Sequence, residues 1–238
     1  MALCCLNERH NLPIAIERLK TLGQGLGEQL AEVVVVDGGS SDGTWEYLAQ
    51  AAEQWKILKP LRQSPPAGYG SGYRQSVLAC SGDVIITCDV DLNYDITETL
   101  RMLPRLAEAD LVVANPLLRG AQVELNGPRM ILTRGVTLLY RLALLGSKRT
   151  GNMFTAILRV GRSEIFRRAV PQCSDFTASA EFMLRVYLTT GARVIETPVS
   201  VYGRGAGRSK LHKLRTIAAH LRLFGRVAAF RVGIRKEL

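Results

Sequence analysis

The sequence predicts an α/β protein with a mostly parallel central sheet and helices on both faces. Three observations lead there. Strand-like and helix-like stretches alternate through the first half of the 238-residue chain, the pattern of parallel strands joined by crossover helices. Two strand-like stretches, 32–37 and 83–88, carry unbroken apolar runs instead of alternating ones, as strands buried on both faces do. Each leads into a carboxylate, Asp37 and Asp89, and the carboxyl edge of an open α/β sheet is where ligands bind.

The elements follow in order. A short strand near 2–6 leads to Asn7-Glu8, then a helix with Pro13 suited to its first turn and Gly23 to its end. Strand 32–37 runs into the turn Gly38-Gly39-Ser40-Ser41-Asp42-Gly43-Thr44 and a helix over 45–54. A short strand at 56–59, a Pro/Gly loop at 64–70 and a helix at 71–80 precede strand 83–88. Beyond it come a helix at 97–108, a strand at 110–115, a loop at 116–128 and a long helix at 129–146. A strand and turn at 157–167, a helix at 178–190 and strands at 193–197 and 199–203 complete the main unit, 1–210. Residues 211–238 read as a basic, amphipathic C-terminal helix, in which Leu214, Ile217, Leu221, Phe224 and Ala228 form an apolar stripe opposite Arg215, Arg222 and Arg226.

Composition narrows the function. The five cysteines form no CxxC pair and no zinc spacing, which suits free thiols in a reducing compartment. Neither a signal peptide nor a membrane span is expected: a spanning helix needs ~20 apolar residues, and arginines interrupt the best stretches, 130–146 and 217–234. Of the net charge of +10, residues 201–238 hold ten Lys/Arg against one acid, Glu237, while 1–200 is nearly balanced. A basic tail implies an anionic partner: nucleic acid, membrane surface or phosphorylated substrate. The tail interleaves only Phe224 and Phe230 among its cations, too few for base stacking, and no recognition motif appears.

Asp89-Val90-Asp91 places two carboxylates one residue apart at a strand end. They repel unless a cation lies between them, and hard oxygen ligands select Mg²⁺ or Mn²⁺, ions that usually bring substrate phosphates. An Asp-rich turn is the plain alternative. With Asp37 on a neighbouring strand, the three acids would suit a nucleotide and its metal. Gly68-Tyr69-Gly70-Ser71-Gly72-Tyr73-Arg74 opens a helix whose amide end favours anions, or is only a flexible helix start. Gly23, Gly25 and Gly27 follow a helix, not a strand, and do not make a phosphate loop.

The ordered set Asn7-Glu8, Asp37 through Thr44, the glycine loop at 68–72, Ser81-Gly82-Asp83 and Asp89-Val90-Asp91 resembles the family 2 glycosyltransferases of GT-A fold. Glu196-Thr197-Pro198-Val199 and Arg204 through Leu211 are similar to the dolichol-phosphate mannosyltransferase-like branch. The resemblance spans roughly residues 3–220 and implies a GT-A type Rossmann-like sandwich. It implies an inverting, metal-dependent hexosyltransferase using a GDP- or UDP-sugar donor and a polyprenyl-phosphate acceptor. Glu8 and Asp37 would contact the nucleoside; Asp89 would lie at ribose and metal, and Asp91 would be the main ligand of Mg²⁺ or Mn²⁺. Arg129, Arg204, Ser209 and Lys210 would hold the acceptor phosphate. The chain departs from the family at Gly38, where a second acid is usual, at Cys4-Cys5-Leu6, where a Pro is usual, and at Asn93, where Gln is common.

A phosphate acceptor is already anionic and needs no general base, whereas a hydroxyl acceptor in envelope or polysaccharide synthesis does; Glu181 and Asp175 are the candidates for it. The expected place is the cytoplasmic face of a membrane, held by anionic lipid or by a membrane-anchor subunit, with no nucleic acid. A basic nucleic-acid-binding protein and an inactive scaffold are the readings from other classes.

Overall fold

The computed structural model describes residues 1–91, 93–123, 127–147, 149–202 and 213–238, and of 127–129 and 213–214 the backbone alone. Among these residues seven strands form one sheet: β1 (Ala2–Cys5), β2 (Val33–Asp37), β3 (Leu58–Arg62), β4 (Val84–Thr87), β5 (Leu111–Ala114), β6 (Arg159–Arg162) and β7 (Val194–Thr197). Their order is β3-β2-β1-β4-β6-β5-β7. Only β6 runs against its neighbours, β4 and β5; all the other pairings are parallel. Register aligns Cys5 with Asp37 and Asp37 with Arg62, so the first three strands end level at one edge.

Among the described residues eight α-helices flank the sheet: α1 (Leu12–Leu26), α2 (Thr44–Gln54), α3 (Tyr69–Ala79), α4 (Thr99–Met102), α5 (Gly127–Ala143), α6 (Ser163–Arg168), α7 (Ala178–Arg185) and α8 (Lys213–Arg231). The four valines of β2 show why the apolar run had to be unbroken. Val33 and Val35 enter the core beneath α1, α2 and α4, whereas Val34 and Val36 enter the core beneath α3, α5, α7 and α8. Period-2 alternation sends successive side chains to opposite faces, and both faces are covered. Burying each valine contributes about 1.5–3 kcal/mol.

Three elements differ from expectation. The first helix passes through Gly23 and Gly25 and stops at Gly27, which adopts φ 57°. The stretch 96–107 is broken into 3₁₀, α and 3₁₀ pieces, because Pro104 has no N–H for a continuous helix. After Pro198 the second expected strand reduces to single bridges from Val201 to Tyr94 and Val123.

Helix α8 docks through a face other than the apolar stripe expected for it. Ala219, His220, Leu223 and Val227 are buried, while Ile217 and Leu221 are exposed. Polar anchors set that rotation. His220 Nδ1 lies 2.6 Å from the Tyr140 hydroxyl, and Arg226 donates to Glu181 at 3.3 Å. The α5 end is tied in by Arg231, which donates to the Ala143 carbonyl at 2.7 Å. Among the described residues no helix is long and apolar enough to cross a membrane.

Candidate functional site

A cavity of about 670 Å³ opens at the carboxyl edge of β1, β2 and β4. Its polar lining includes Glu8, Gln63, Tyr69, Asp89, Asp91 and Asn93, and its apolar lining Leu117, Leu132, Val136, Met153 and Ile217. The loop after β1 is zipped to the loop after β2. Asn7, held at φ 50°, accepts from the Ser41 amide at 2.9 Å and donates its own amide to Ser40 Oγ at 2.7 Å. Asn tolerates this left-handed backbone better than most residues. The Glu8 amide reaches Thr44 Oγ1 at 2.9 Å, and the Glu8 carboxylate accepts from Asn11 Nδ2 at 2.6 Å, which fixes that acid at the cavity wall.

Asp89 and Asp91 both line the cavity, as the strand-end reading expects. Asn93 Nδ2 donates to Asp91 at 2.9 Å. Its loop is pinned from outside, since the Tyr202 amide donates to the Asn93 carbonyl at 2.8 Å. Burial, then the charge of Asp89, pushes the thiols of Cys4 and Cys88 up, so both stay neutral beside the acids. Neither is a nucleophile at neutral pH.

Asp37 has a different surrounding. It is fully buried and is not a cavity residue. Its carboxylate accepts from the Ser40 amide at 3.2 Å and from the Ser40 hydroxyl, and lies 3.6 Å from Arg62. In this geometry Asp37 braces the Gly38–Ser40 turn, whose Gly38 does face the cavity. Glu181 is also removed from the candidates for general base. It is fully buried, accepts the amides of Gln172 and Cys173 at 3.0 Å each, and pairs with Arg226. Asp175 does line the cavity, where its carboxylate holds the amide of Thr177 at 2.8 Å. Arg204, Ser209 and Lys210 lie outside the described residues, as does the side chain of Arg129.

Gln63 and Phe176 escape sequence reasoning, whereas Tyr69 and Asn93 stand in stretches it singled out. Three polar atoms on the cavity wall, Gln63 Nε2, Tyr69 Oη and Asn93 Oδ1, are buried with no hydrogen-bond partner among the described residues. Unmatched buried polar atoms are costly, and three in one wall mark a place where a ligand supplies the partners. The rings of Tyr69 and Phe176 stack at 5.1 Å beside them. The glycine loop has a packing reason of its own: a Cβ on Gly68 or Gly70 would lie 2.5 Å from the Ser174 carbonyl oxygen or 2.2 Å from that of Cys173. Thr216, Ile217 and His220 bring α8 into the wall as well. Burial lowers the His220 pKa, Asp175 opposing weakly, so the ring is neutral at pH 7.

No three His, Cys, Asp or Glu side chains among the described residues gather closely enough to hold a metal. The donor set nevertheless suits a hard divalent ion. Asp89 and Asp91 offer carboxylate oxygens, and Asn93 Oδ1 is a buried acceptor with no partner among the described residues; ions of this kind usually complete their shell with water and substrate phosphate.

Comparison with known proteins adds the following. A family model, "Glycosyl transferase family 2", matches residues 2–169. The chain is 28% identical over 223 residues to a dolichol-phosphate mannosyltransferase of Pyrococcus furiosus, covering 91% of this chain but only 59% of that protein. It is 27% identical over 214 residues to an undecaprenyl-phosphate mannosyltransferase of Micrococcus luteus, covering 86% of this chain and 84% of the relative. Among solved structures, glucosyl-3-phosphoglycerate synthase of Mycobacterium tuberculosis, crystallised with Mn²⁺, UDP and glucosyl-3-phosphoglycerate, superposes with a TM-score of 0.64. The match covers 97% of this chain and 78% of that one at 20% identity, a likeness of fold.

Proposed function

The chain belongs to glycosyl transferase family 2, and on that premise we propose that it moves a sugar from a GDP- or UDP-sugar to a polyprenyl phosphate at the cytoplasmic face of a membrane. The observation that carries this reading is the mixed lining of one cavity: acids and polar atoms without a partner among the described residues on one hand, aliphatic side chains of α5 and α8 on the other. A nucleotide-sugar suits the first and a lipid phosphate the second. Two relatives named for polyprenyl-phosphate sugar transfer support the choice of acceptor.

In the mechanism that follows, Glu8 and Asp89 take the nucleoside side, with Gln63 Nε2 and Tyr69 Oη as hydrogen-bond donors to it. Asp37 supports that wall from behind through Ser40. Asp91, Asp89 and Asn93 Oδ1 are the groups that would hold Mg²⁺ or Mn²⁺. Such an ion, when bound, stabilises the negative charge that grows on the departing diphosphate. The acceptor phosphate is an anion at neutral pH, so the chain has only to position it. Arg129, Arg204, Ser209 and Lys210 are assigned that task. Attack from the face opposite the leaving group inverts the anomeric carbon. The engagement of Glu181 with backbone amides agrees with a reaction that needs no general base. A hydroxyl acceptor would have to rely on Asp175.

Calorimetry with GDP- and UDP-sugars plus Mn²⁺ identifies the donor, and transfer of labelled sugar to detergent-dispersed polyprenyl phosphate tests the reaction. Asp91→Asn is expected to lower kcat by about 10²-fold or more, the scale for removing one group that stabilises transition-state charge. Transfer to hydroxyl acceptors alone would overturn the assignment.

A further inference from the structure

A polar pair joins α5 to α8 inside the cavity wall, and the mechanism above makes no use of it. His220 of α8 lines the cavity and is only 8% exposed. Its Nδ1 lies 2.6 Å from the hydroxyl of Tyr140, a fully buried residue of α5. The two rings meet edge to face at 5.7 Å, which sets the plane of the imidazole as well as its place. Val136 and Thr216, each four residues earlier on its helix and so one turn away, line the same cavity.

The contact with Tyr140 decides which ring nitrogen carries hydrogen. Among the described residues His220 Nδ1 is the partner of the Tyr140 hydroxyl. If Nδ1 held the hydrogen, the phenolic O–H would point into the core without an acceptor, a costly arrangement. The hydroxyl therefore donates to a bare Nδ1, and the neutral imidazole carries its hydrogen on Nε2. Nε2 makes no hydrogen bond among the described residues, nor is it one of the sealed polar atoms of the core. The charged group that acts on the ring is Asp175, but its carboxylate is taken up by the amide and hydroxyl of Thr177. A hydrogen-bond donor thus stands on the cavity wall between Val136 and Ile217 with nothing of this chain to receive it.

We propose that His220 is an acceptor-binding residue: its Nε2–H donates to an oxygen of the polyprenyl phosphate, and Tyr140 holds the imidazole in the tautomer that makes it a donor. The proposal rests on the acceptor reading above and adds a residue to it. Leu132, Val136 and Ile217 offer a lipid phosphate no hydrogen bonds, and burying its charge among them unpaired would be costly. A donor on the same two helices meets that need, and a hydrogen bond to an ionised oxygen is of the strong kind. Packing and the Tyr140 contact fix this donor before the acceptor arrives, so little ordering cost remains for binding.

Two substitutions separate the nitrogens. His220→Asn places an amide oxygen near the position of Nδ1, able to accept from Tyr140, and leaves nothing at Nε2. His220→Gln brings an amide N–H to the position of Nε2 and gives up the Tyr140 contact. The full chain and both variants are compared in sugar transfer to detergent-dispersed polyprenyl phosphate, in donor binding by calorimetry and in melting curves. His220→Asn should raise the acceptor KM about tenfold, the scale of one hydrogen bond to a charged group, with donor affinity and Tm close to wild type. His220→Gln should melt lower yet keep the acceptor KM within about threefold of wild type. A pair that only ties α5 to α8 gives the opposite order, with His220→Asn as wild type and His220→Gln impaired, and that result would overturn the assignment. So would an acceptor KM raised equally in both variants, or a loss confined to donor affinity. Wild type that transfers sugar to hydroxyl acceptors alone would instead remove the acceptor reading, and this assignment with it.

Discussion

Glu181→Gln separates a structural acid from a catalytic one. The native carboxylate is fully buried and accepts the Gln172 amide on Oε1 and the Cys173 amide on Oε2, both at 3.0 Å, with Arg226 at 3.3 Å from Oε1. Glutamine keeps the shape but has one acceptor oxygen. With that oxygen facing Gln172 and Arg226, its NH₂ confronts the Cys173 N–H, donor against donor. One buried donor left unmatched costs about 1–3 kcal/mol, and weakening a partly exposed ion pair adds up to about 1 kcal/mol. A loss near 3 kcal/mol in a chain of this size lowers Tm by about 6–12 °C. Thermal and urea unfolding measure that loss. Sugar transfer below the transition should keep kcat within about threefold, because removing a true general base would cost about 10²–10⁴-fold. A variant as stable as wild type, or one folded but with kcat down a hundredfold, would refute the reasoning.

Three further expectations come from other contacts. Burial pushes the Glu32 carboxyl up, but the Lys59 ammonium at 2.6 Å and the Ser81 amide and hydroxyl outweigh it and hold the group at about 2. A pKa depressed in the folded state stabilises above the usual carboxylate range and is lost as pH falls through it toward 2. Urea unfolding of wild type against Glu32→Gln should therefore show a gap of about 3 kcal/mol at pH 7 that narrows steadily below pH ~4.5. Gly70→Ala forces a Cβ to 2.2 Å from the Cys173 carbonyl oxygen and should cost about 1–3 kcal/mol or more. Gly135→Ala meets nothing within 4 Å on α5 and should gain up to about 1 kcal/mol; melting curves of the pair check both signs.

How far the site was legible varies by residue. Asp89 and Asp91 were readable at the cavity because a buried strand must stop where its charges begin, whereas Glu8 was singled out only by the family resemblance. Asp37 met the same rule, yet its carboxylate turns to Ser40 and Arg62, a rotamer choice that no spacing encodes. Gln63 carries no sequence signal at all. It becomes a site residue because β3 lies level with β2, and the chain leaves both at the cavity. The tail shows the limit most clearly. Its helical periodicity admits more than one apolar stripe, and the stripe that docks was selected by Arg226 reaching Glu181, 45 residues earlier.

By itself the sequence determined the parallel sheet, the edge at which the cavity lies and the acid pair placed there, since unbroken apolar runs leave a strand few alternatives to full burial. The tertiary structure decided which carboxylates face the cavity, which acid merely holds the chain together, and that α5 and α8 turn one side to the cavity and the other outward. Those outcomes depend on rotation about helix and side-chain axes, and only contacts between residues distant in the chain can set it.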